Sequence, residues 1–129
     1  MTLNKTDKVS KGDESVSIWE ELGKKYDVRN ATFDEICDIS TKLYSAGQIS
    51  LGDHLMLTFD WKRAADELRK TYPETVADLN LTPADGNGRR DWIAEFEART
   101  VRDFHADNTK GYIQNQKLTQ ILGRIENSK

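Results

Sequence analysis

At 129 residues, 36% of them apolar and 32% charged, the chain is long enough for one domain with its own core but holds few apolar residues to spare. A net charge of −3 argues against a general nucleic-acid binder, which needs a basic surface. The single cysteine, Cys37, excludes an internal disulfide and suits a reducing, cytoplasmic setting, and no stretch approaches the ~20 apolar residues that span a bilayer.

Residues 1–14 (MTLNKTDKVSKGDE) are polar, mixed in charge and without an apolar run, so a flexible N-terminal tail rather than a signal peptide is expected. A single helical domain over 15–129 follows. The first helix, about 17–26, opens on the capping-box spacing of Ser17 and Glu20 and carries Trp19, Leu22 and Tyr26 on one face. The second, about 32–46, repeats the box with Thr32 and Glu35. Its stripe runs through Phe33, Ile36, Cys37, Ser40, Leu43 and Tyr44, and Gly47 stands at the left-handed stop.

Ser50, with Asp53 three residues on, starts a short apolar helix over about 50–59. Asp60 can cap another over about 60–72, where Trp61, Ala64, Ala65, Leu68 and Tyr72 share a face. Residues 50–72 are therefore one bent helix or two, with Pro73 ending the run. A helical turn fits 74–81, and the segment from Thr82 to Gly88 is a loop of turn formers. The last two helices, about 88–106 and 109–126, carry the stripes Trp92, Ile93, Phe96, Thr100, Val101, Phe104 and Leu118, Ile121, Leu122, Ile125. A turn as short as Asp107-Asn108-Thr109 folds them antiparallel. The expected fold is all-α: a single-domain bundle of five or six helices ending in a long antiparallel hairpin.

No assembled chemical motif emerges. His54, His105 and Cys37 lie far apart, with neither HExxH nor CxxC, so no metal or cofactor is implied. Asp85-Gly86-Asn87-Gly88 fails the calcium-loop register, because the fifth and sixth positions are Arg89 and Arg90. As a phosphate cradle the same loop lacks the Walker spacing, and Asp85 and Asp91 would repel an anion. Cys37 sits on an apolar stripe with no elbow motif around it. The acidic pairs Glu20-Glu21, Asp34-Glu35 and Glu95/Glu97 fit first turns or solvated faces, so no catalytic residue is assigned.

One feature exceeds what a bundle needs. Leu51, Leu55, Met56, Leu57 and Phe59 point in nearly every direction around the third helix, so some of them are surplus to a single buried face. Such a helix is either buried on all sides or presents one side to a partner; on the second reading these residues with Trp61 form the protein-binding surface, Met56 and Leu57 contributing its exposed contact. The function this implies is a non-catalytic interaction module, a regulator, adaptor or chaperone-like protein. It binds another protein, or a second copy across a symmetry axis, with neither nucleic acid nor membrane as partner. The alternative is a small DNA-binding regulator built on the helix-turn-helix-like segment from Thr32 to Phe59. That segment's second helix has no Arg, Lys, Asn or Gln to read base edges. An enzyme ranks third.

Overall fold

The computed structural model describes residues 18–74 and 79–129. Among them run six helices and no strand: α1 (18–25), α2 (Phe33–Ser45), α3 (Leu51–Leu57), α4 (Trp61–Thr71), α5 (Trp92–His105) and α6 (Thr109–Glu126). The chain is an all-α single domain. The expected tail and the Ser17 cap lie outside the described residues, as does the middle of the turn expected over 74–81.

The helix ends follow their capping chemistry. Thr32 Oγ1 accepts from the Glu35 N–H at 3.1 Å while the Glu35 carboxylate accepts from the Thr32 N–H at 2.9 Å. Ser50 and Asp53 repeat the exchange, at 3.1 Å in both directions. Asp60, Asp91 and Asn108 cap α4, α5 and α6. Beyond α2, Gly47 takes φ +72°, its N–H donates to Tyr44 and the Gln48 N–H to Leu43, the paired bonds of a Schellman stop. Asp107 ends α5 in the same way at φ +56°, a position where glycine is usual.

Two boundaries differ from the sequence expectation. α3 stops at Leu57 because the Thr58 hydroxyl donates to the His54 carbonyl at 2.7 Å and Asp60 then caps a separate helix, so 50–72 is two helices. α5 starts at Trp92 rather than at 88. Asp85 Oδ1 takes the Asn87 and Arg89 N–H groups at 2.8 and 2.9 Å, and Arg90 exchanges two backbone bonds with Ala31. These commitments hold 85–90 out of the helix.

α5 and α6 pack together more extensively than any other pair among α2 to α6. α1 crosses the end of α6 so closely that a Cβ on Gly23 would stand 2.7 Å from the Ile125 carbonyl oxygen. α3 packs against both α2 and α6, whose buried side chains share one core. α4 docks through Trp61, which meets Arg99 of α5, and the buried Ala65. No helix among the described residues is long and apolar enough to cross a membrane.

The α5 stripe departs from expectation. Trp92, Ile93 and Phe96 are buried, but the buried face continues through Glu95, Arg99 and Asp103, while Val101 and Phe104 face solvent. Positions 99 and 103 keep the helical register of Trp92 and Phe96; positions 101 and 104 drift off it. Glu95, expected on a solvated face, is fully buried.

Candidate interaction surface

The surface is set by how α3 is fastened from below. Asp53 is buried and ionised beneath the helix. It caps Ser50 and accepts from Gln114 at 3.0 Å, and Lys117 Nζ lies 2.9 Å from its Oδ2. Burial alone would raise this carboxyl, but the bonds from Lys117, Gln114 and Ser50 outweigh it and hold it below the usual aspartate range. Leu57, one turn on, enters the core. Towards α2, His54 Nδ1 lies 2.8 Å from the buried Ser40 hydroxyl and its ring stacks on Tyr44 at 5.1 Å. His54 is thus a packing residue between two helices.

The opposite side of α3 is exposed. Leu51 and Leu55 are 53% and 58% exposed, against 1% for both Asp53 and Leu57. Phe59, just past the helix end, and Tyr44 at the end of α2 are also exposed. The six residues expected to form the surface therefore separate. Leu51, Leu55 and Phe59 lie on it, Met56 is half-buried against the core, Trp61 is half-buried, and Leu57 is core. Placing Leu57 on an exposed patch is corrected by the register: it sits 40° around the helix from Asp53, which is pinned inward.

Phe59 and Trp61 turn into a cleft of ≈ 570 Å³ between α4 and the 80–90 loop, with Phe33, Arg69, Arg90 and Trp92 among its walls. Phe59 meets Trp61 edge-on at 4.5 Å, and the Arg99 guanidinium lies 5.0 Å from the Trp61 ring centre. The loop cannot cradle an anion here, because Asp85 already consumes its Asn87 and Arg89 N–H donors. Arg90 is occupied as well, donating to the Thr82 carbonyl.

Sequence reasoning missed the cluster behind that cleft. Glu95 accepts from the Leu81 and Thr82 N–H groups, from the Thr82 hydroxyl at 2.5 Å and from Arg99 Nε at 2.8 Å. Arg99 reaches on to Asn80 Oδ1 at 3.0 Å. Burial would raise the Glu95 carboxyl, yet the donors of Thr82, Leu81 and Arg99 keep it below the usual glutamate range. Both oxygens are engaged by the protein itself, so the cluster works as a clasp that fastens the 80–82 segment to α5. The one available signal was Arg99, four residues after Glu95 and in register with an aromatic stripe.

Elsewhere the chemistry is sparse. The half-buried Cys37 thiol is pushed up by burial and by the nearby Asp34 and Asp60, which favours the unreactive thiol form. Among the described residues no three His, Cys, Asp or Glu side chains are grouped to hold a metal. No protein family, curated protein or solved structure matches this chain.

Proposed function

We propose that the chain is a non-catalytic protein-interaction module that docks a partner protein on the outer face of α3, extended by Tyr44 and Phe59. The observation that carries this reading is the polarity of one seven-residue helix. Asp53 and Leu57 are buried on one side while Leu51 and Leu55 stand more than half exposed on the other. A small domain with a limited apolar supply leaves neighbouring leucines, a phenylalanine and a tyrosine in water at a cost that a bound partner offsets. A cytoplasmic setting fits the single thiol.

The DNA-binding alternative loses support at the same place. α2, the Gly47 stop and α3 form a helix-turn-helix in outline, but the exposed side of α3 offers Leu51, Gly52 and Leu55 where base-reading groups are needed. The test is affinity capture with the wild-type chain, Leu55→Glu and a remote surface control, Val101→Glu. The proposal expects one protein recovered by the wild type and the control and lost with Leu55→Glu. Recovery of salt-sensitive nucleic acid in place of protein, or capture indifferent to Leu55→Glu, overturns it.

A further inference from the structure

The flanks of the α3 face carry opposite charge. On the α2 side, Asp34, Cys37, Thr41 and Tyr44 follow one another at helical spacing, and Tyr44 stacks on His54 of α3, so this stripe borders the face. Its charged member is the exposed Asp34, and Asp60 joins it close to Cys37. On the α6 side, Lys110, Gln114 and Lys117 share a face, and the last two both reach Asp53 of α3. The exposed Ile113 lies on the same turn as Gln114. The face is thus an apolar centre, Leu51 and Leu55, between an acidic border and a basic one.

We infer that the occupant of this face is a second copy of the chain, related to the first by a two-fold axis that runs along α3. Two-fold rotation about an axis running along α3 brings the border on each side of that axis against the opposite border of the partner. The Asp34 side of one chain then meets the Lys110 side of the other, twice, while the Leu55 side chains meet near the axis. A surface with one sign of charge on both borders would repel its own copy; this one complements it. The inference rests on α3 being a docking surface and adds what docks there.

The test is sedimentation velocity on the full chain at micromolar concentration, with far-ultraviolet circular dichroism to confirm that each variant keeps its helices. The wild type is expected to sediment as a dimer and Leu55→Glu as a monomer. Asp34→Lys sets lysine against lysine at both border contacts, and Lys110→Glu sets acid against acid, so each alone is expected to be monomeric. An equimolar mixture of these two restores both contacts and is expected to recover the dimer. A monomeric wild type, or a mixture that stays monomeric, overturns the inference. If the wild type is monomeric yet captures another protein through Leu55, the docking surface stands and only its occupant is wrong. If Leu55→Glu alters neither association nor capture, both readings fall.

Discussion

α3 and α5 invert each other. α5 carries Glu95, Arg99 and Asp103 into the interior, and α3 holds Leu51 and Leu55 out in water. In both helices the position along the register, set by what neighbours the backbone, decided burial before side-chain polarity did. The two inversions are resolved differently. Every charge that α5 buries meets a partner: Glu95 the Leu81 and Thr82 donors and Arg99, Asp103 the Asn115 amide at 2.8 Å. The leucines on the outer side of α3 stay more than half exposed. An inversion satisfied internally is architecture, and the proposed docking reading rests on the one that is not.

Breaking the clasp on α5 is expected to have the largest effect. Glu95→Ala leaves Arg99 buried without its carboxylate and frees the 80–82 segment, a loss of about 3–5 kcal/mol in urea denaturation. A loss below about 1 kcal/mol would mean that the cluster is not a clasp. Gly111→Ala is next. A Cβ there would stand 2.6 Å from Asn108 Nδ2 and push against the Asp103 carboxylate, displacing it from Asn115, at about 1–3 kcal/mol by the same measurement.

Acid probes both helices at once. Glu95 and Asp53 are held below their ordinary values, so their contribution to stability is complete above the ordinary carboxylate range and fades as pH falls through the lowered folded values. The urea midpoint is expected to stay level from neutral pH and fall below about pH 4. Asp53→Asn should shallow that fall, whereas a slope indifferent to the substitution would show that Asp53 is not an ionised anchor. A smaller effect is expected at Asp107→Gly, which relieves the left-handed backbone at the end of α5 and should raise stability by up to about 1 kcal/mol.

Much of the frame was legible in the sequence because capping and stopping are local. The Thr32 and Ser50 boxes, the Gly47 stop and the Asp107 turn each depend on residues within a few positions, and the structure places them as the spacing implies. What needed the third dimension was contact between distant segments. The 85–90 segment is held out of α5 partly by Ala31, some sixty residues away, which no local rule anticipates. Glu95 reads as a solvated acid until Thr82 and Leu81 are seen to fold over it. For the candidate surface, the residues named from the sequence fall on two sides of α3, Leu51 and Leu55 exposed and Leu57 buried. Gln114 and Lys117, reaching Asp53 from α6, and Ser40 and Tyr44, holding His54 from α2, fix the rotation that buries Leu57 and exposes Leu55.

That rotation is the central claim, and two neighbouring substitutions test it. Urea denaturation of Leu55→Glu and Leu57→Glu, at protein concentrations low enough that association adds nothing, compares the two sides of α3 directly. Leu55→Glu is expected within about 0.5 kcal/mol of wild type. Leu57→Glu, which removes a core side chain and buries an unpaired carboxylate, is expected to lose about 4 kcal/mol or more. Equal losses for the two would place Leu55 in the core and contradict the account.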